Sequence, residues 1–219
     1  MTDASPIIHV VDDDPSFGAA VAELLKACGY RVALHSSAMQ LLATPLGSAP
    51  ACILLDVQMP GLDGPQLQAR LAKLGCQLPI VFMTGHGDIP MSVRAIKAGA
   101  EDFLTKPVRR DELLQAIRRA LAHGDQIRAH DHRMAVMRSL VTQLTPRERE
   151  VFDLLVRGKP HKQIAYALGT TERTVKMHRH NLMQKCRVQS LADLSVIAER
   201  LGLLQVPPDA SQGGGDDRP

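Results

Sequence analysis

Residues 51–64 of the chain read Ala51-Cys-Ile-Leu-Leu-Asp56-Val-Gln-Met-Pro-Gly-Leu-Asp-Gly64. A short apolar run ends in one acid, and a turn rich in proline and glycine follows, which predicts a buried strand of a parallel sheet. Ligands of open α/β sheets bind beyond the carboxyl ends of such strands, where Asp56 lies. A lone aspartate there is more often a turn or cap residue, so its role depends on what the other strand ends carry.

The first 121 residues repeat this pattern, with five short apolar segments in all. They alternate with segments whose apolar residues recur at helical spacing, which predicts a parallel, doubly wound α/β sheet. Five strands with right-handed crossovers favour the flavodoxin-like strand order 2-1-3-4-5. The predicted strands are residues 7–11, 30–35, 51–56, 78–83 and 102–105, and the last helix begins near Arg110.

Chemically active side chains stand at four of these strand ends. Asp12 and Asp13 follow the first strand, Asp56 ends the third, and Thr84 and Lys106 follow the fourth and fifth. Crowded carboxylates repel one another unless a cation lies among them, and oxygen ligands of this kind suit Mg²⁺. The set therefore predicts phosphoryl transfer, in which Asp56 is the nucleophile that forms an aspartyl phosphate. Lys106 and the Thr84 hydroxyl would contact the phosphoryl oxygens.

The motifs around these residues resemble the receiver domain of bacterial two-component response regulators. The resemblance covers about residues 6–122 and is carried by Val10-Val-Asp-Asp13, Leu55-Asp-Val-Gln-Met-Pro-Gly-Leu-Asp-Gly64, Met83-Thr-Gly-His-Gly87 and Lys106-Pro107. It implies that Asp56 is the phosphoacceptor. It also implies that Asp13 and Asp56 bind Mg²⁺ directly, together with the backbone carbonyl of Gln58. Asp12 would bind the ion through water, and the Lys106-Pro107 peptide bond is expected to be cis.

Some residues of this domain carry two interpretations. Thr84 and Phe103 match the switch pair of receiver domains, whose aromatic ring turns inward when the hydroxyl moves to the phosphate. A lone phenylalanine on a strand is, however, commonly a plain core residue. Asp14 is a third acid in the first loop, and a role as a helix cap explains it equally well. His86 and Gln58 match positions that tune the phosphate lifetime in this family.

Two other classes of protein are compatible with parts of this pattern. A phosphatase resembling the haloacid dehalogenases would also use an aspartyl phosphate and Mg²⁺, but it requires a second aspartate where this chain has Gln58. Turnover of an external phosphate ester would distinguish that enzyme. Alternatively, an unphosphorylated receiver could serve as a fixed dimerisation module, although the complete set of pocket residues argues against this.

The rest of the chain divides into a linker, a second domain and a tail. Residues 1–121 would form the receiver, and residues 122–143 a linker that is expected to be helical, with a flexible hinge as the alternative. Residues 144–205 would form the second domain, and the composition of residues 206–219 predicts disorder. Basic residues outnumber acidic ones by 11 to 6 between residues 145 and 205. This excess makes the second domain a candidate for binding a polyanion, although a solvated basic surface would show the same excess.

The second domain is predicted to contain a helix-turn-helix. Its four predicted helices are residues 146–158, 160–168, 172–185 and 190–201, and Thr145 and Glu148 open the first with a capping box. The second and third helices are joined by a turn at Gly169, which is the arrangement of a helix-turn-helix, although similar pairs occur in bundles that bind no DNA. The buried face of the third helix is predicted to consist of Val175, His178, Leu182 and Met183.

The sequence of this domain resembles the LuxR-type helix-turn-helix of NarL/FixJ-class regulators. The resemblance spans about residues 144–203 and is carried by Leu144-Thr-Pro-Arg-Glu-Arg-Glu-Val151, Lys162-Gln-Ile-Ala165 and Thr174-Val-Lys-Met-His-Arg-His-Asn-Leu-Met-Gln-Lys185. It implies base contacts from Lys176, Met177 and His180. It also implies that Thr171, Thr174 and Arg179 lie nearer the phosphates. His161 stands where asparagine is common in this class, and the departure bears on the capping of its helix.

Together the two resemblances imply a cytoplasmic transcriptional response regulator rather than an enzyme that acts on an external substrate. A sensor histidine kinase would phosphorylate Asp56. The phosphorylated receiver would then form a homodimer through its fourth helix and fifth strand, which brings two recognition helices to double-stranded DNA. RNA polymerase is a further expected partner, and a membrane is not, because no apolar run reaches the length of a membrane span. The alternative is a dimeric DNA-binding regulator that acts without phosphorylation.

Overall fold

The computed structural model describes residues 5–47, 49–85 and 89–204, and for residues 89–92 it describes the backbone alone. The chain divides into two compact units, Met1–Ala129 and His130–Pro219. The predictions made for His86 and for residues 206–219 fall outside the described residues. Within the described ranges, no helix combines the length and the apolar character that crossing a membrane requires.

The first unit is a five-stranded sheet with helices on both faces. All neighbouring strands are parallel and the order is β2-β1-β3-β4-β5, which confirms the predicted doubly wound, flavodoxin-like fold. Its elements are β1 (Ile7–Val11), α1 (Pro15–Ala27), β2 (Arg31–His35), α2 (Ala38–Leu42), β3 (Ala51–Asp56), α3 (Gly64–Lys73), β4 (Ile80–Thr84), α4 (Ile89–Lys97), β5 (Asp102–Thr105) and α5 (Arg110–Thr142).

Apolar side chains on the two faces of this sheet form two separate cores. On one face, strand residues such as Val10 and Leu54 pack against α1 and α5. On the other face, residues such as Val11 and Leu55 pack against α2, α3 and α4. Because both faces are covered, the inner strands are apolar almost throughout, and every residue of β3 is buried.

The fourth strand begins later than the sequence predicts, at Ile80 rather than at residue 78. Pro79 has no backbone N–H to donate, so the ladder with β3 starts at the pair Ile53 and Ile80. The carbonyl of Pro79 still accepts a hydrogen bond from Ile53 N at 2.9 Å. At its other end the strand extends one residue further than predicted, so Thr84 is the last residue of β4 rather than the first residue of the turn. The second strand likewise begins one residue late, at Arg31.

The last helix of this unit is longer than the predicted receiver helix. It runs for 33 residues, from Arg110 to Thr142, and continues through Gly124. A glycine inside a helix costs roughly 1 kcal/mol relative to alanine. Here it permits a close approach, because a Cβ on Gly124 would lie 3.3 Å from Cδ of Pro79. The division between the two compact units falls within this helix, after Ala129.

The second unit contains the end of α5 and, among its described residues, four shorter helices around a core of its own. They are α6 (Pro146–Val156), α7 (His161–Ala167), α8 (Glu172–Cys186) and α9 (Leu191–Arg200). Thr145 and Glu148 form the predicted capping box at the start of α6. The N-cap of α7 is Pro160, which has no side chain that can accept a hydrogen bond. His161 is the first residue of α7, so the position that departs from asparagine is not the N-cap.

Candidate functional site

Three carboxylates meet at the carboxyl-terminal edge of the sheet. Val11 pairs with Leu55 in the neighbouring strands β1 and β3, so Asp12 and Asp56 emerge next to each other. One oxygen each from Asp12, Asp13 and Asp56 lies within 4.8 Å of the others. Asp12 and Asp56 are buried, whereas Asp13 is exposed and leaves the cluster open to solvent on one side.

The neighbouring strands β4 and β5 bring a hydroxyl and an ammonium group to the same edge. Thr84 is 1% exposed, and its carbonyl accepts a hydrogen bond from Lys106 N at 2.6 Å. Lys106 Nζ lies 2.6 Å from Asp12 Oδ2 and 3.2 Å from Asp56 Oδ1. The Lys106-Pro107 peptide bond is cis, as the resemblance implies. The residues predicted to carry the phosphoryl chemistry thus lie together at one end of the sheet.

The electrostatics of this pocket are those of crowded acids around an ammonium group. Burial raises the pKa of Asp56, Lys106 opposes that rise, and Asp12 and Asp13 reinforce it. Burial alone would lower the pKa of Lys106, but its hydrogen bond to Asp12 and the attraction of Asp56 outweigh this and raise it. At separations up to 4.8 Å, two carboxylates repel by roughly 3 kcal/mol at an effective dielectric constant of about 20. Lys106 therefore stays charged, and the acids still repel one another.

The donor set fits a hard divalent cation. The oxygens of Asp12, Asp13 and Asp56 are ligands that Mg²⁺ prefers, and the exposed side at Asp13 has room for the waters and phosphate oxygens that Mg²⁺ retains. Gln58, whose carbonyl the resemblance adds to this set, lies two residues after Asp56 with an exposed side chain. A cation bound here would relieve the repulsion among the three carboxylates.

The turn after β3 holds the chain tightly against the residue that carries the nucleophile. A Cβ on Gly64 would lie 2.5 Å from the carbonyl oxygen of Asp56 and 2.9 Å from Cε1 of Phe82, so only glycine fits. Asp63 follows the turn and caps α3 with its side chain. The Pro60-Gly-Leu-Asp-Gly64 segment therefore brings the backbone back against the end of β3.

Phe103, the predicted partner of Thr84, is half-buried on β5. Its ring packs against the second apolar core, with its centroid 6.3 Å from that of Phe82. This position satisfies both interpretations of the residue, a core side chain and a switch side chain. The switch role of Phe103 therefore stays a prediction.

Sequence reasoning missed two arrangements beside this pocket. The ring of Phe17 lies 4.2 Å from Lys106 Nζ, and His9 and His35 form a buried pair, with Nδ1 of His9 lying 3.1 Å from Nε2 of His35. Burial and the proximity of His9 lower the pKa of His35 to about 4, so its ring is neutral at pH 7. The sequence signal for Phe17 was its place three residues after Asp14, which is the N-cap of α1.

In the second unit, the helix α8 exposes the side chains predicted to contact bases. Lys176, Met177 and His180 are all exposed, and Met177 is 52% exposed despite being apolar. Thr171 is the N-cap of α8, and its hydroxyl accepts a hydrogen bond from Thr174 N at 3.2 Å. These five residues extend from the N-cap of α8 to the middle of the helix. The N-terminal residues of the second helix of a helix-turn-helix are the ones that contact base edges.

The position of Arg179 corrects the sequence analysis. The prediction put Arg179 away from the buried face, but the residue is half-buried and its Nε is buried, without a hydrogen-bond partner among the described residues. Arg179 follows Val175 by four residues and precedes Leu182 by three, and both of these are fully buried. Residues at these spacings share one face of a helix, so Arg179 lies at the edge of the core.

A buried ion pair ties the end of α8 to the start of α6. Lys185 Nζ lies 2.6 Å from Oε2 of Glu148, which is 4% exposed and also accepts from Thr145 N at 2.8 Å. Burial alone would raise the pKa of Glu148, but its hydrogen bonds with Lys185 and Thr145 outweigh this and lower it. The capping residue that the sequence identified therefore also fixes the recognition helix.

Comparisons with known proteins agree with both halves of this description. The family described as "Response regulator receiver domain" matches residues 8–118, and that described as "Bacterial regulatory proteins, luxR family" matches residues 142–198. The transcriptional regulatory protein FixJ of Azorhizobium caulinodans is 39% identical over 197 residues, which are 90% of this chain and 93% of that protein. The chain belongs to the response regulators of the NarL/FixJ class. This response regulator is therefore a DNA-binding transcriptional regulator, and its receiver implies a histidine kinase as partner.

Further relatives match this response regulator over nearly its full length. Response regulator protein TodT of Pseudomonas putida is 44% identical over 201 residues, which are 92% of this chain and 88% of that protein. The solved structure of response regulator StyR aligns with a TM-score of 0.80 at 43% identity, covering 90% of this chain and all of that one. Full-length FixJ from B. japonicum aligns with a TM-score of 0.55 at 36% identity, covering 91% and 98%.

Proposed function

We propose that this response regulator accepts a phosphoryl group on Asp56 from a sensor histidine kinase and then binds DNA as a homodimer. The observation that carries the proposal is Asp56 Oδ1 lying 3.2 Å from Lys106 Nζ, in a cluster of three carboxylates within 4.8 Å of one another. A carboxylate with a charged lysine beside it is suited to attack on a phosphoryl group, because such transfers depend on positioning and charge neutralisation.

In the proposed transfer, an oxygen of Asp56 attacks the phosphorus of a phosphohistidine on the kinase. An O–P bond forms, the P–N bond breaks, and its electron pair returns to the imidazole ring. Lys106 exchanges its contact with Asp56 for one with a phosphoryl oxygen, and the Thr84 hydroxyl donates to another. Mg²⁺ would neutralise charge on the phosphoryl oxygens when bound, held directly or through water by Asp12, Asp13, Asp56 and the backbone carbonyl of Gln58.

The proposed output is a change at the face formed by α4 and β5. Movement of Thr84 toward the phosphoryl group would let the ring of Phe103 turn inward on β5, which couples the pocket to this face. Val93 and Ile96 on α4 are each 46% exposed, and their spacing puts them on the same side of the helix. Burial of these apolar side chains between two receivers would stabilise a dimer.

The DNA-binding assignments extend the same proposal to the second unit. Residues 1–121 are the proposed receiver, residues 122–143 the linker and residues 144–205 the DNA-binding domain. Lys176, Met177 and His180 would contact base edges, and Thr171, Thr174 and Arg179 would lie nearer phosphates. RNA polymerase would be a further partner of a cytoplasmic regulator of this kind. The only catalysis proposed is that of its own phosphorylation and dephosphorylation.

Light scattering after size-exclusion chromatography, with and without acetyl phosphate and Mg²⁺, tests this function. We expect a monomer that becomes a dimer on phosphorylation and then binds a duplex selected from a random library more tightly, as measured by fluorescence anisotropy. A chain that is dimeric and binds the duplex equally well in both conditions would favour the alternative, a regulator that acts without phosphorylation.

A further inference from the structure

A series of contacts through Asp12, Asp14 and Phe17 includes the ammonium group of Lys106. Asp12 Oδ1 accepts a hydrogen bond from Asp14 N at 3.0 Å, and Asp14 Oδ1 accepts one from Phe17 N at 3.1 Å. The ring of Phe17 faces Lys106 Nζ, which lies 4.2 Å from its centroid and donates to Asp12 Oδ2 at 2.6 Å. Followed in this order, the contacts begin and end on Asp12, and Phe17 contributes the one apolar side chain among them.

The start of α1 holds Phe17 in this position. Asp14 is the N-cap and Pro15 is the first helical residue, so the backbone that carries the ring is fixed by a capped helix terminus. The ring itself is half-buried and packs at the edge of the first apolar core. The loop that carries Asp12 and Asp13 thus also sets the position of the ring.

We propose that Phe17 is a positioning residue that keeps the Lys106 ammonium aimed at the phosphoryl site, an inference that rests on the proposed function. Asp56 loses its carboxylate charge when it becomes an acyl phosphate, so Lys106 must then move from Asp56 to a phosphoryl oxygen. An aromatic face attracts an ammonium group without accepting its hydrogen bonds in the way a carboxylate does. Phe17 therefore confines the ammonium to a short movement and leaves its N–H groups free for the phosphoryl oxygen.

Simple core packing makes a different prediction for this position. Leucine would fill much of the same space and pack against the same core, but it has no π face to attract a cation. Tyrosine and tryptophan retain that face. Tyr30 provides a matched control, because it is also an aromatic residue at the edge of this core.

The test compares Phe17→Leu, Phe17→Tyr and Phe17→Trp in the full chain. The rate of phosphorylation by acetyl phosphate with Mg²⁺ is followed by intact-mass spectrometry, and affinity for beryllofluoride is followed by calorimetry. We expect Phe17→Leu to slow phosphorylation roughly tenfold, while the two aromatic variants stay within about threefold of wild type. Tyr30→Leu should leave the rate unchanged. If Phe17→Leu fails to fold, Phe17→Met takes its place.

A double-mutant cycle separates positioning from a structural effect. In a Lys106→Ala background, Phe17→Leu should cause no further loss of rate or, where the rate is too slow to measure, of beryllofluoride affinity. Equal losses in both backgrounds, or a wild-type rate for Phe17→Leu, would overturn the inference. A wild-type chain that neither accepts a phosphoryl group nor binds beryllofluoride would instead overturn the proposed function itself.

Discussion

Replacing Lys185 with methionine should destabilise the DNA-binding unit through the carboxylate that is left behind. Glu148 is 4% exposed, and its Oε2 lies 2.6 Å from Lys185 Nζ. Breaking a buried ion pair by removing one partner generally costs about 3–5 kcal/mol. Because the Lys185 side chain is 36% exposed, water screens the pair, and we expect a smaller loss of about 2–3 kcal/mol in the free energy of unfolding.

The matched variant is Glu148→Gln, which removes the charge but keeps an oxygen that can accept from Thr145 N. The double variant Lys185→Met/Glu148→Gln should be more stable than Lys185→Met alone, because a neutral amide costs less to bury than an unpaired carboxylate. Hydrogen exchange of peptides from α6 and α8 measures the opening free energy of this unit within the full chain. The cost assigned to the unpaired Glu148 carboxylate would be wrong in either of two cases. One is a Lys185→Met chain whose opening free energy lies within about 0.5 kcal/mol of wild type, and the other is a double variant less stable than Lys185→Met.

The same pair gives a pH dependence with a definite sign. The hydrogen bonds from Lys185 and Thr145 hold the pKa of Glu148 below its ordinary value, against the opposite effect of burial. A carboxylate of this kind stabilises the fold above its unfolded pKa and loses that contribution as the pH falls through its folded pKa. The contribution is therefore complete at pH 7 and declines below the ordinary glutamate range. This part of the acid destabilisation should be absent from Glu148→Gln.

Three further predictions concern the turn, the metal ligands and the base contacts. Gly64→Ala should lower the receiver's free energy of unfolding in urea by at least about 3 kcal/mol, because its Cβ would lie 2.5 Å from the Asp56 carbonyl oxygen. Asp13→Ala should weaken Mg²⁺ binding at least about tenfold in a titration without removing the phosphoacceptor. Lys176→Ala should lose about 1–3 kcal/mol of preference for a selected duplex over random DNA in competition binding.

The turn and the base contact each have a control within the chain. Gly18→Ala puts a Cβ 3.7 Å from Leu34, an ordinary contact, inside the helix α1. It should not destabilise the fold and should raise the free energy of unfolding by up to about 1 kcal/mol, because alanine is favoured over glycine within a helix. Arg179→Ala should weaken binding to selected and random duplexes alike, with part of the effect coming from its position at the edge of the core. Unchanged stability for Gly64→Ala, unchanged Mg²⁺ affinity for Asp13→Ala, or full sequence preference for Lys176→Ala would contradict the corresponding prediction.

The sheet and the position of its acidic edge could be predicted because both depend on short-range patterns. The third strand was predicted with its observed bounds, Ala51–Asp56, since an apolar run followed by a Pro-Gly turn leaves few other conformations. The strand ends that carry Asp12 and Lys106 meet because parallel strands align their carboxyl ends. Motif resemblance then supplied roles that the pattern of residues alone left open.

Other features depended on contacts that a local pattern does not contain. The presence of Gly124 inside α5 is explained by its close approach to Pro79, a residue far away in the chain. The contact between the ring of Phe17 and Lys106 Nζ joins residues far apart in the chain, and the place of Phe17 after the helix cap Asp14 does not identify Lys106 as its partner. The burial of Arg179 is different, because its spacing from the buried residues Val175 and Leu182 is visible in the sequence itself.

The most direct test of Asp56 as the phosphoacceptor is to locate the phosphoryl group on the chain. Wild type and Asp56→Asn are incubated with acetyl phosphate and Mg²⁺, and the phosphoryl group is located by intact-mass and peptide mass spectrometry. We expect one phosphoryl group on the wild type, on the peptide that contains Asp56, and none on the variant, which keeps its fold. An equal phosphoryl load on Asp56→Asn, or a wild-type phosphoryl group on another residue, would contradict the assignment of Asp56 as the phosphoacceptor.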